Sequence, residues 1–438
     1  MTRTLLARHG LAALLAGALA LLTACVGGGG SGGGTAQWRV LNANAEISSV
    51  DVYTGNDLQF SAVATDSITG YQSIDANSYA VKVTSAGNPT ALLQSTYSLS
   101  KDKHYTGVVW GRSGAVKFVT LPEDEDTTQI TSGNARVRVY NATSDAGSVD
   151  VYLTAAGLDD LTDVTPTASA VTSATLGGFK DITATSYRLR VTTAGDSSDV
   201  RLDIPSISFS SQQYSTLIVT AGPGGVLVNS ALVVQQGALT EYKNTQARLR
   251  VVASAAARGA VTVQLDNSTI AGSLRSPTIG PYTLVTAGAH SVNVLLNGTS
   301  IDNNTRTLDA GADYTLLAYG DTTTPLVTMI SDDNRLASSG HYRMRLINGV
   351  AGSDPMTLSV DFAALVSDVP AGTASAFTSA TINSSAEVDV TSTSSVSSLF
   401  TATDANLQSF GVYTVFMLDG NVDSNNQPVL TGAVRKDR

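Results

Sequence analysis

Short runs in which alternate residues are apolar recur along the chain. Trp38-Arg39-Val40-Leu41-Asn42 returns as Val137-Arg138-Val139-Tyr140-Asn141, as Leu249-Arg250-Val251-Val252-Ala253 and as Met344-Arg345-Leu346-Ile347-Asn348. A second alternating run follows each of them. It reads Val50-Asp51-Val52-Tyr53, Val149-Asp150-Val151-Tyr152, Val261-Thr262-Val263-Gln264 and Leu358-Ser359-Val360-Asp361. A period of two marks a strand with one covered face. The first two copies stand 99 residues apart at every one of these positions. A repeat of this kind means tandem domains, and four are expected.

The later signals keep the same order. Tyr79-Ala80-Val81-Lys82-Val83-Thr84-Ser85-Ala86-Gly87 matches Tyr187-Arg188-Leu189-Arg190-Val191-Thr192-Thr193-Ala194-Gly195, and 289–298 is a looser third copy. A tyrosine then opens a strongly apolar strand in each domain: Tyr105, Tyr214, Tyr314 and Tyr413. These are expected to be structural tyrosines of the tyrosine-corner type, the hydroxyl bonding back to the backbone a few residues upstream. Short strands, turn residues and this domain size predict an all-β chain of four tandem immunoglobulin-like β-sandwich domains. The expected spans are 37–126, 134–237, 245–337 and 341–438, the last divergent. No long segment after residue 36 carries a helical period, although 159–164 is expected to form one helical turn. The links are short, so a semi-extended array with modest contacts between neighbours is expected.

With the Arg-Val strand, the Asn-Ala step, the Val-Asp-Val-Tyr strand, the Tyr-x-Val-x-Val-x-x-Ala-Gly strand and the final tyrosine strand in place, the chain resembles a bacterial family known as domain of unknown function 4397. The match is good over roughly 37–237 and holds in outline beyond. The resemblance implies a β-sandwich in a secreted or lipid-anchored protein, and no activity. The acidic residue which that family often carries between its first two strands is Asp145 here. Asn44 occupies the corresponding stretch of repeat 1, and Ser254-Ala255-Ala256 that of repeat 3.

The start of the chain has a different pattern. Arg3 and Arg8 precede an apolar run from Leu11 to Leu22, which leads to Leu22-Thr23-Ala24-Cys25 and a glycine tract. The run is too short for a membrane span, which needs roughly 20 apolar residues, and fits a signal-peptide core. The order resembles a bacterial lipoprotein signal. It implies a leader over 1–24 recognised at Leu22, Thr23 and Ala24, with diacylglycerol and an amide-linked acyl chain such as palmitate on Cys25. Val26 follows, where aspartate resembles an inner-membrane retention signal, so the outer membrane is the expected location. Residues 25–36 are then the acylated cysteine and a Gly/Ser tether. A flexible tract such as Gly27–Gly34 spans about 15–17 Å.

Composition narrows the chemistry. The charge is −10 over 438 residues, and loss of Arg3 and Arg8 with the leader makes it more negative still, which excludes nucleic acid as a partner. Cys25 is the only cysteine, so acylation leaves neither a disulfide nor a thiolate metal site. No cofactor is expected. Asp419, Asn421 and Asp423 alternate like calcium-loop oxygens, but Ser424 and Leu430 stand where glycine and glutamate are needed, and a hairpin tip is expected instead. Glu123–Asp126 and Asp332-Asp333-Asn334 read as solvated linkers or turns. Arg136/Arg138, Arg248/Arg250 and Arg343/Arg345 each share a strand face; they suit an anionic glycan or, more simply, an outward face that guards sheet edges. Trp38 and Trp110 suit a sugar platform or the sandwich core. His104, His290 and His341 fall in three repeats, and no His-Glu-x-x-His or Gly-x-Ser-x-Gly run is present. The expectation is a membrane-anchored, non-enzymatic envelope binding, adhesion or display module with a glycan or protein ligand. A plain spacer is the alternative, with an envelope hydrolase after it.

Overall fold

The computed structural model describes residues 33–395, 397–422 and 428–438. In the first repeat the alternating runs become β1 (Thr35–Asn42), β2 (Ser49–Thr54), β3 (Asp57–Ala64), the short edge pieces β4 (Ser67–Ile68) and β5 (Gln72–Asp75), β6 (Ser78–Ser85), β7 (Ala91–Ser98), β8 (His104–Arg112) and β9 (Ala115–Pro122). They form two sheets: β4/β5-β1-β8-β9, and β3-β2-β6-β7. The second, third and fourth repeats reproduce both sheets. Every repeat is thus a two-sheet β-sandwich, and the described residues hold no α-helix. The 159–164 segment forms turns only.

One pairing was not foreseen. The first strand of each repeat runs parallel to the penultimate long strand, as β1 does to β8; all the other pairs are antiparallel. Between the two sheets lies a separate core for each repeat. In repeat 1 it holds Trp38, Val40, Val50, Val52, Phe60, Val83, Val109 and Phe118.

The repeats are not a semi-extended string. A further apolar cluster joins Leu41, Val108, Trp110 and Leu121 of repeat 1 to Tyr140, Ala142, Ile218 and Val233 of repeat 2. Another joins Val252, Leu317 and Tyr319 of repeat 3 to Ile347, Phe416 and Leu418 of repeat 4. The sheet carrying the first strand of one repeat therefore packs face to face on its counterpart in the next, making pairs 1–2 and 3–4. This is why the Tyr214–Ala221 and Asp313–Gly320 strands are buried throughout: one face meets its own core and the other meets the neighbour. The two pairs also touch. Gly224 donates to Gly311 O, Asn334 to Gly224 O and Arg438 to Gly225 O.

Two boundaries move. The second sandwich does not stop at 237, because Leu239–Tyr242 adds a strand to its Val228–Val234 edge. The fourth copy of the second motif begins at Met356, two residues before Leu358: Met356 pairs with Ser392 and Val369, as Val50 does with Ser85 and Val63.

Candidate functional site

The most organised chemistry lies in the two seams. Four arginines, one from each first strand, face them: Arg39, Arg138, Arg250 and Arg345, each at least nine-tenths buried. A charge there needs partners. Each Nε donates to a threonine of the parallel neighbour strand, at 2.8 Å to Thr106, 2.9 Å to Thr216, 2.7 Å to Thr315 and 3.1 Å to Thr414. Each guanidinium lies 4.5–4.7 Å from the ring centre of an aromatic residue in the edge strand (Tyr282) or immediately before it (Tyr71, Phe179, Phe377). Stacked, desolvated guanidinium over a ring is favourable.

The counter-charges come from the ends of the last strands. Both carboxylate oxygens of Glu123 accept from Arg39 Nη2 at 2.9 Å. In the other pair the bonds cross the seam: Arg250 Nη1 to Asp437 at 2.6 Å and Arg345 Nη2 to Asp332 at 2.5 Å. Burial pushes the Asp332 carboxyl up, but Arg345 and then Arg250 outweigh it and hold the group below the usual range. Burial pushes Tyr282 well up, and Asp332 adds to it. Glu123, Asp332 and Asn334 are therefore not solvated linker residues, and Arg138, Arg250 and Arg345 do not face water, whereas Arg136 stays partly exposed beside Asp181. The two sequence readings fail for one reason: each takes as open a face that the neighbouring repeat covers.

The remaining sequence-selected residues have structural surroundings. Asp145 accepts from Arg112 Nε at 2.7 Å across the first seam, and Glu46 accepts from Arg112 and Arg335. Asp51 and Asp150 each take two backbone amides, from Ala62 and Gly87 and from Ala170 and Gly195. They fix the bulge at Ala62 and Ala170, where φ is positive. Trp38 lies in the first core and Trp110 in the first seam, so neither forms a sugar platform. Asn421 pairs with Val429 within a ladder, and Asp419 N donates to Ser254 Oγ, so this segment is a strand docked on repeat 3 instead of a calcium loop; Asp423 lies outside the described residues. His104 contacts Asp124, His290 contacts Asp266 and His341 contacts Ser339 O. Among the described residues no three His, Cys, Asp or Glu side chains gather as a metal site. Leu22, Thr23, Ala24 and Cys25 lie outside the described residues.

Tyr105, Tyr314 and Tyr413 accept the amides of Ser100, Asp309 and Gln408, each five residues upstream. Tyr214 does not. It stands one position earlier in register, opposite Arg136, and accepts from Arg136 Nη1 at 2.8 Å. Ser215 holds the corner position of repeat 2. There the Ser210 amide goes to Gln213 Oε1, and Gln213 Nε2 donates to Ser215 Oγ. A glutamine replaces the corner hydroxyl.

Two clefts open where the pairs meet. One, about 400 Å³, is lined by Glu46, Asp66, Arg112, Lys243 and Arg335 among others. The second, about 520 Å³, brings together Arg112, Lys117, Ser144, Asp145, Arg343 and Phe410. Their arginines are already engaged: Arg112 by Asp145 and Glu46, Arg335 and Arg343 by Asp333. Those two guanidiniums hold the Asp333 carboxyl well below the usual range against its burial. Neither cleft lining includes a histidine or cysteine.

Residues 36–152 and 247–349, together half of the chain, match a family described as domain of unknown function, DUF4397. The chain belongs to the DUF4397 family. The matched stretches are repeat 1 with the first two strands of repeat 2, and repeat 3 with the first strand of repeat 4, so the third repeat is as much a DUF4397 domain as the first. No curated protein is detectably similar. Among solved structures, the family 26 carbohydrate-binding module CBMbc of Amy13K from Eubacterium rectale, in complex with maltoheptaose, is similar at 11% identity. The match covers 46% of this DUF4397 chain and 97% of the module, with a TM-score of 0.16, too distant a superposition to bear on ligand.

Proposed function

We propose that this protein is a lipoprotein held at the outer membrane through acyl chains on Cys25, and that its four sandwiches act as a non-enzymatic binding or display element of the cell envelope. The observation that carries the reading is the order Leu22-Thr23-Ala24-Cys25, then Gly27–Gly34, then the first strand at Thr35. Two or more acyl chains hold a protein stably, each buried methylene adding roughly 0.8 kcal/mol. The charged groups of the seams are spent on fixing the repeats to one another, which suits a rigid presenter better than a catalyst.

Binding is favoured over a plain spacer by the distribution of exposed apolar side chains. Among the described residues, eight large apolar side chains are left open, and four of them, Phe362, Ile382, Phe410 and Val429, belong to repeat 4. Phe362 is 83% exposed at a hairpin tip with φ +65°, a conformation that favours Asn or Gly. A glycan or protein ligand recognised by repeat 4 is the expected partner. Cys25→Ser tests the anchor: metabolic palmitate labelling should vanish and the protein should leave the membrane fraction. Retention in the membrane fraction would refute the anchor. A glycan and protein array probed with this soluble variant tests binding, and Phe362→Ser should weaken whatever signal it gives.

A further inference from the structure

The last strand of each first-strand sheet is an edge, and the four repeats treat that edge differently. In repeat 2 it is Val228–Val234, which is covered: Leu239–Tyr242 pairs with it antiparallel, Ser230 against Tyr242 through Val233 against Leu239. Five of its seven residues are buried. In repeat 1 the β9 edge carries Lys117 and ends at Pro122, and Tyr97 donates its hydroxyl to Phe118 O at 2.8 Å. In repeat 4 the Pro428–Lys436 strand carries Gly432, Arg435 and Lys436. A charge, a proline or a cover is how an edge is kept from pairing with another chain.

Repeat 3 has none of these along most of its length. Its edge strand is Pro325-Leu326-Val327-Thr328-Met329-Ile330-Ser331-Asp332, with no charge before the final residue and proline only at the first. Its ladder with Asp313–Gly320 is continuous, without a bulge. No further backbone bond engages these residues among those described. Leu326 is 45% exposed, and Val327, Met329 and Ile330 are half-covered. Six uncharged residues from Leu326 to Ser331, with Val327, Thr328 and Ile330 of high strand propensity, lie on an open edge and invite strand addition.

We propose that a second copy of this chain occupies that edge: two Pro325–Asp332 strands pair antiparallel about a two-fold axis, joining two four-stranded sheets into one of eight. The equivalent edge in repeat 2 shows that this position of the fold accepts an antiparallel strand. The strand is also complementary to itself. Centred on Thr328, the pairing sets Val327 against Met329 and Leu326 against Ile330, the side chains of each pair lying on the same face. The one carboxylate, Asp332, falls beyond the paired stretch and is already held by Arg345 and Thr315. In repeats 1 and 4 the same pairing would set Lys117 against Leu121, or Arg435 and Lys436 against Thr431 and Leu430, and charges on an edge oppose such pairing. Two-fold self-pairing is the commonest form of association.

The test uses the full-length protein in detergent. Light scattering at tens of micromolar should give twice the protomer mass in the wild type and the protomer mass in Thr328→Lys, a change on the edge that leaves the core side chains Val327 and Met329 in place. Cys25→Ser with Thr328→Cys should cross-link to a disulfide dimer under mild oxidation; Cys25→Ser with Val119→Cys, on the edge of repeat 1, should not. A wild type that is monomeric, or a dimer that survives Thr328→Lys, overturns the proposal. A monomer that instead captures a synthetic Leu-Thr-Glu-Tyr-containing strand peptide at this edge also overturns it, since the occupant would then be a foreign strand.

Discussion

The seam of repeats 1 and 2 and the seam of repeats 3 and 4 solve one problem in two ways. Both bury an arginine from each first strand over an aromatic ring and on a threonine. In the second seam the charges are exchanged: Arg250 binds Asp437 of the other repeat, and Arg345 binds Asp332. In the first seam only one carboxylate, Glu123, bonds these two arginines. Arg39 has Glu123 within its own repeat and reaches across to Gly237 O and Val234 O, while Arg138 has Pro122 O and Thr216. Gln235 stands where the other three repeats place Glu123, Asp332 and Asp437, and it grips the backbone of Glu125 in both directions. Burial accordingly pushes the Arg138 guanidinium down, with Glu125 and Glu123 opposing. The first seam compensates with aromatic contact: Trp110 meets Tyr140 edge to face at 5.9 Å. One interface is thus held by reciprocal ion pairs between its first-strand arginines and the last strands, the other by apolar area, carbonyl acceptors and the separate Arg112–Asp145 pair.

The contrast can be broken from either side. The largest effects are expected from Asp332→Ala and Trp110→Ala. The first strips the counter-charge from Arg345, 2.5 Å away, and weakens the field at Arg250; losing one partner of a buried pair costs about 3–5 kcal/mol. The second removes the main apolar anchor of the other seam, about 3–5 kcal/mol. Denaturant melts should show the two losses in different pairs, resolved by hydrogen exchange of peptides from each. Equal destabilisation of both pairs by either variant would mean that the seams are one cooperative unit.

A smaller difference is expected between Arg345→Met and Arg138→Met. The former orphans the buried Asp332 carboxylate; the latter leaves only a carbonyl and a hydroxyl unpaired, about 1–3 kcal/mol. Arg345→Met should therefore be the more harmful at neutral pH, and acid should narrow the gap. Asp332 titrates below its unfolded value of about 3.9. Its contribution is full above that value and fades as pH falls through the folded one. Pair 3–4 should accordingly loosen before pair 1–2 on acidification below about pH 4, read as faster exchange in 313–349 than in 104–142. The reverse order would contradict the assignment of ion pairs.

Much of the sandwich was legible, and most of the seam was not. Alternation along Val50–Tyr53 and Val149–Tyr152 assigns strands and their period, but it cannot say whether the second face meets water. Arg138 and Arg345 therefore read as outward residues. A signal was present nonetheless: Leu217-Ile218-Val219 and Val415-Phe416-Met417 are apolar on consecutive positions, the pattern of a strand covered on both faces. The aromatic under each arginine follows it by 32 residues in repeats 1, 3 and 4 and by 41 in repeat 2, so the longer loop there hides the period. Tyr214 was misread because a tyrosine in nearly the right place stands for the glutamine that does the work, and a one-residue slip in a strand moves a side chain to the opposite face.

The central claim is that the first-strand sheets face one another and not solvent. Trp110 reports on it directly, since Trp38 is the only other tryptophan. In the Trp38→Phe variant, Trp110 fluorescence should be blue-shifted and shielded from acrylamide in the native protein, with quenching rising only on unfolding. Native emission at the position of a solvent-exposed indole, freely quenched, would show repeats strung apart and contradict the paired arrangement.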